Sequence, residues 1–154
     1  MNAWCERFRP SVQTAVRMLL GWHLAYLGVW ALTSKWTFSW YGRLHCAHWI
    51  FGDFFRAVAD SAASGVLDHV FAWGLLVSGA LLMVGRLVKP AALFGVFYLL
   101  LMYVVNPPHF GHTGASHYLY VDRNLIEVVM LFLVMGFPRA GEGAETETRR
   151  GVRS

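Results

Sequence analysis

Four stretches of this chain are too long and too apolar to be hidden inside a small water-soluble fold. They cover about residues 12–33, 66–87, 90–105 and 118–137, and a stretch of about 20 apolar residues is what a helix needs to cross roughly 30 Å of hydrocarbon. With 56% of its 154 residues hydrophobic and 14% charged, the chain has a bilayer as its natural solvent. The expected fold is all-α: an integral membrane four-helix bundle with an amphipathic interfacial helix between spans 1 and 2.

The first run follows Arg7, Arg9 and Arg17, is too long for a signal h-region and lacks a small-x-small site, so it is expected to stay in the mature protein. Gly21, Ala25 and Gly28 in that run, and Gly74 and Ser78 in the second, have the small-residue spacing that lets helices approach closely. The third run opens with Pro90, tolerable in a first turn, and is closed by Asn106-Pro107-Pro108. The fourth reaches spanning length only if Asp122, Arg123, Asn124 and Glu127 lie in or near it, and such groups need internal partners.

Orientation follows from the cations. Arg7, Arg9, Arg17, Arg86, Lys89, Arg139, Arg149, Arg150 and Arg153 fall on one side of the expected spans, against Lys35, Arg43, Arg56 and Arg123 on the other. That bias places both termini in the cytoplasm and the chain in the inner (plasma) membrane as a multi-pass protein. Residues 1–138 then form one transmembrane domain, and 139–154, rich in Gly, Glu, Thr and Arg, a disordered cytoplasmic tail. The formal charge of +4 is scattered at run ends rather than gathered on a stripe, which argues against a nucleic-acid partner. Cys5 and Cys46 are expected on opposite faces, and no C-x-x-C supplies dithiol chemistry.

Between the first two spans, Trp36, Phe38, Trp40, Tyr41 and Trp49 give the segment an interfacial aromatic character. From Leu44 onward Leu44, Ala47, Phe51, Phe54, Phe55 and Val58 recur at helical spacing, opposite His45, Asp53, Arg56 and Asp60. The pattern reads as a helix lying in the outer interface. It would serve as a lid over the bundle end, or as a docking surface or entrance for a lipid-soluble ligand.

The chemistry-bearing residues gather near the fourth run. Arg123 and Glu127 are i, i+4, with Asn124 beside them, so an inward ion pair with an amide next to it is available. An isolated carboxylate at membrane depth must be paired or protonated. Glu127 therefore either fixes helix register or handles protons at the edge of a quinone-sized pocket. His109, His112 and His117 stand in the preceding connection, joined on the same expected face by His45 and His48. They suit hydrogen bonds, one of them to a quinone carbonyl, better than a zinc or copper site, for which no cysteine is nearby. His23 at mid-span reads as a hydrogen-bonded core histidine, since a bis-histidine haem needs a partner at equal depth. No phosphate loop, G-x-G-x-x-G, G-x-S-x-G or H-E-x-x-H occurs.

The ordered set Arg17-Met18-Leu19-Leu20-Gly21, Gly74 to Leu87 with Ala91-Ala92, and Asp122-Arg123-Asn124-Leu125-Ile126-Glu127 resembles the DoxX/DoxD family of small four-helix membrane proteins. The resemblance runs over about residues 17–137, with R-N-L-I-E its most specific part. It implies a membrane subunit of an oxidoreductase that anchors another protein subunit at the outer face and passes electrons to the quinone pool. The alternatives are a non-catalytic anchor or assembly protein and a haem-b electron carrier. On this carry-over Glu127 and Arg123 hold the catalytic positions, and Asn124, His109, His117 and His112 the quinone-binding ones. No protein metal site is implied, the bilayer is a partner, and a homo-oligomer is compatible with the pattern.

Overall fold

The structure, a computed structural model, describes residues 3–34, 37–44, 51–105 and 123–136. Every element among them is helical: α1 (Ala3–Thr33), α2 (Phe38–Leu44), α3 (Gly52–Asp60), α4 (Ser64–Val84), α5 (Val88–Val105) and α6 (Arg123–Gly136). Three helices are long and apolar enough to cross a membrane by length and composition: Ser11–Thr33 of α1, α4 and α5. These match the first three expected spans to within a few residues. The second stops at Val84, because Gly85 adopts φ 79° and accepts the chain reversal. Its N–H returns to the Leu81 and Leu82 carbonyls and the Arg86 N–H to Leu81, a left-handed cap that a residue with a side chain resists. Arg86 is thus in the turn, not the helix.

The fourth expected span is represented by α6, 14 residues beginning at Arg123, about 21 Å of helix. Residues 106–122, which carry His109, His112 and His117, lie outside the described set. So do residues 137–154, where the cytoplasmic tail was placed.

The three long helices and α6 form a ring: α1 packs on α4, α4 on α5, α5 on α6, and α6 returns to α1. Leu24, Leu75, Leu82, Leu99 and Leu131 fill its axis and are almost fully buried. The α1–α4 contact is the closest. A Cβ built on Gly28 would meet the Leu76 nitrogen at 2.6 Å and the Ala72 carbonyl at 2.7 Å, and one on Gly79 would strike Ala25 and the Gly21 carbonyl. The small residues therefore put backbone against backbone, the arrangement their spacing predicts. Outside the ring, Trp22, Tyr26 and Trp30 of α1, Trp73 and Val77 of α4, Phe97 of α5, and Ile126, Val129 and Phe132 of α6 stay exposed. An apolar shell on all four sides is compatible with a lipid surround.

In place of one interfacial helix, the described residues hold two short ones, α2 and α3, crossing the end of the ring where α1 finishes and α4 begins. Phe55 and Ala59 of α3 are buried while Phe51 and Phe54 point outward, so the apolar positions divide between the bundle and the surroundings. Phe38 of α2 joins the cap to the bundle by edge contacts with Phe55 and Phe71, and Phe71 contacts Tyr98 in turn. Arg43 ties α2 to α3, its Nε donating to Asp60 Oδ1 at 3.0 Å and its Nη2 to the Ala59 carbonyl at 2.6 Å.

Candidate functional site

Glu127 begins the second turn of α6 and turns toward α1. Its Oε1 lies 3.2 Å from His23 Nε2 and 3.9 Å from Arg123 Nε. The Glu127 side chain is 14% exposed and that of Arg123 71%, so the shorter, more enclosed partner is the histidine. His23 Nε2 is itself sealed from solvent, and among the described residues it has no aligned hydrogen bond. A carboxylate and an imidazole at this separation are close enough for a proton to pass between them once the ring is turned into line. Arg123 sets a positive charge one turn before Glu127 on the same helix.

The depth of this contact follows from helix geometry. His23 is ten residues before Thr33, about 15 Å along the axis, and so near the middle of the Ser11–Thr33 stretch. Sequence reasoning put the chemistry at the end of the bundle and paired Glu127 with Arg123 alone. The partner on α1 was missed, although His23 and Glu127 each stand near the middle of their apolar runs.

Above the pair, toward the α2–α3 cap, lies a second group of polar side chains. Asp68, in the first turns of α4, accepts hydrogen bonds from the Ser39 N–H at 2.9 Å and the Ser39 hydroxyl at 3.0 Å. The carboxylate thereby holds the first turn of α2, where a negative charge is favoured, and Thr37 Oγ1 accepts from the Trp40 N–H at 3.3 Å. Tyr98 of α5 is buried, and Tyr41 and Asp68 are within electrostatic range of it. Tyr41 is half-buried in the cap; burial pushes its phenol above the ordinary value of 10.0, against an opposing pull from Arg123. Tyr41 is thus within electrostatic range of both Tyr98 and Arg123.

No family model, curated protein or solved structure matches the chain. The likeness to the DoxX/DoxD family rests on the residues quoted from the sequence.

Of the positions singled out in the sequence, Arg123, Asn124 and Glu127 fall together on the first turns of α6, with Asn124 half-buried. His109, His112 and His117 are outside the described residues, as are His45 and His48. Among the described residues no three His, Cys, Asp or Glu side chains converge as metal ligands. His69 is exposed and its Nδ1 donates to the Gly65 carbonyl at 2.7 Å. Since Gly21 faces Gly79 and Met83, and Gly28 faces Ala72 and Leu76, His69 stands about 15 Å nearer the cap than His23. The two histidines are not at one depth, as a bis-histidine haem requires.

Proposed function

We propose that this chain is the membrane subunit of a quinone-linked oxidoreductase, anchoring a partner at the face covered by α2 and α3 and passing electrons to the quinone pool. In this reading α6, extended by its flanking residues, completes a fourth span, and both termini are cytoplasmic. The observation that carries the proposal is the His23–Glu127 contact of 3.2 Å at mid-span. Ionisable groups at such depth are costly and are kept where a site uses them.

Reduction of a quinone takes two electrons and two protons. The electrons come from a redox centre of the outer-face partner; the chain's own residues handle the protons. Glu127 delivers the two protons in turn, recharged through His23 between them, while Arg123 keeps the emptied carboxylate stable as an anion. Asn124 and one of His109, His112 or His117 donate hydrogen bonds to a quinone oxygen. Tyr41 and Tyr98 bridge toward Asp68, giving protons a polar route from the capped face.

The test is quinone reduction by the purified complex carrying Glu127→Gln. The amide keeps the size of the side chain but cannot give up a proton, so the rate falls by about 10²-fold or more, the usual span of acid–base contributions. Full activity in Glu127→Gln removes the role given to Glu127. A second reading, a non-catalytic anchor, is favoured by the exposed Phe51 and Phe54 on the cap. It predicts copurification of the partner with no dependence on quinone.

A further inference from the structure

The opposite end of the bundle has a different chemistry. Arg17 reaches from α1 to the α4–α5 turn and lays its guanidinium over Gly85: a Cβ there would lie 2.8 Å from Nη1 and 3.0 Å from Nη2. Its Nε is buried and, among the described residues, has no hydrogen-bond partner. In the same turn Arg86 is exposed, and Lys89 is exposed in the first turn of α5. Lys89 sits beside the unpaired N–H groups that any helix start presents. Leu87 between them takes φ 49°, outside the range a leucine prefers, and is itself exposed. Of the acidic side chains that the structure describes, Asp53, Asp60 and Asp68 lie toward the α2–α3 end and Glu127 is at mid-span against His23. Three cations converging on one short turn thus have no described carboxylate to neutralise them, and exposed Val84 and Leu87 flank them with apolar surface.

From this combination we infer a binding site for the phosphodiester headgroup of an anionic phospholipid, in the leaflet that the Gly85 end meets. The Arg17 guanidinium donates to the phosphate from the bundle side, Arg86 and Lys89 close on it from the turn, and the acyl chains run down along Val84 and Leu87. A zwitterionic lipid offers the same phosphate but adds a cation that this turn repels. A free phosphate has the charge but gains nothing from the apolar flank.

The experiment uses the full-length protein in a mild non-ionic detergent, titrated with palmitoyl-oleoyl phosphatidylglycerol, palmitoyl-oleoyl phosphatidylcholine or inorganic phosphate. Bound lipid is counted by native mass spectrometry. The expected result is a clear preference for phosphatidylglycerol that inorganic phosphate does not displace. Arg86→Gln and Lys89→Gln should each lower it about fivefold, the effect of one basic residue at an anionic surface. Arg17→Gln should lower it as well; should that variant fail to fold, the exposed pair decides alone. Equal binding of the two lipids, displacement by inorganic phosphate, or an unchanged preference in the Arg86→Gln/Lys89→Gln variant overturns the proposal.

Discussion

His23 of α1 and Glu127 of α6 meet at 3.2 Å, joining the first and last helices of the ring by a polar contact in an otherwise apolar layer. Replacing either residue takes this contact from the other, while replacing both removes the contact as a whole. A double-mutant cycle with His23→Gln and Glu127→Gln, read from unfolding in detergent micelles, should give a coupling of about 1–3 kcal/mol. A coupling of zero would show that the two side chains do not support each other.

The α1–α4 contact makes a prediction of opposite signs for two glycines. Gly79→Val drives a side chain into Ala25 and the Gly21 carbonyl, and overpacking of this kind costs about 1–3 kcal/mol, more where backbone must move. Gly65 has nothing within 4 Å of its Cβ position, so Gly65→Ala should be neutral or stabilise α4 by up to about 1 kcal/mol. Thermal unfolding of the two variants side by side checks the order.

Asp68 and Ser39 pin the cap. Asp68→Ala leaves the Ser39 N–H and hydroxyl without the acceptor they share and should destabilise α2 locally by about 1–3 kcal/mol. Asp68→Asn, which retains an acceptor oxygen, should cost less. Amide exchange over residues 38–44 reports the difference; equal exchange in wild type and Asp68→Ala would mean that the aromatic contacts alone hold α2.

The three long helices were legible because each is a continuous apolar run, and lipid selects such runs by length and composition alone. The small-residue spacing of Gly21, Ala25 and Gly28 likewise announced a close neighbour, though not that α4 would be it. The cap was half legible: the period of Phe51, Phe55 and Val58 marks a helix, but its division into α2 and α3 depends on where Phe38 and Phe55 find partners, which is a matter of packing. Glu127 stood out for its charge. Its contact with His23 joins residues from opposite ends of the sequence, and Ser39 with Asp68 is a pairing across 29 positions; neither has a local signature. A rule matching ionisable groups by depth would have joined His23 to Glu127.

Tyr41 should show in alkaline titration. Its folded-state ionisation lies above the ordinary 10.0 because it is half-buried, with Arg123 opposing the shift. The stabilisation linked to the neutral phenol is intact below pH 10 and is lost as the pH climbs through the folded-state value. Phenolate absorbance of wild type minus Tyr41→Phe should therefore have its midpoint above 10, and the variant should lose less stability between pH 9 and 11. A difference midpoint at or below 10 would place Tyr41 in water.

Two kinds of attachment hold the ring together, and they divide its mechanics. Where Gly21, Gly28 and Gly79 bring main chain onto main chain, α1 and α4 are keyed like the halves of a joint, and neither can slide by a turn without lifting off the other. On α6, Val128 and Leu131 are the buried residues, and its other described tie to α1 is an acid against an imidazole. The first pair is a fixed keel, and α6 meets it through that polar contact. A change in the charge on Glu127 would therefore act on the α1–α6 contact and leave the α1–α4 joint as it is.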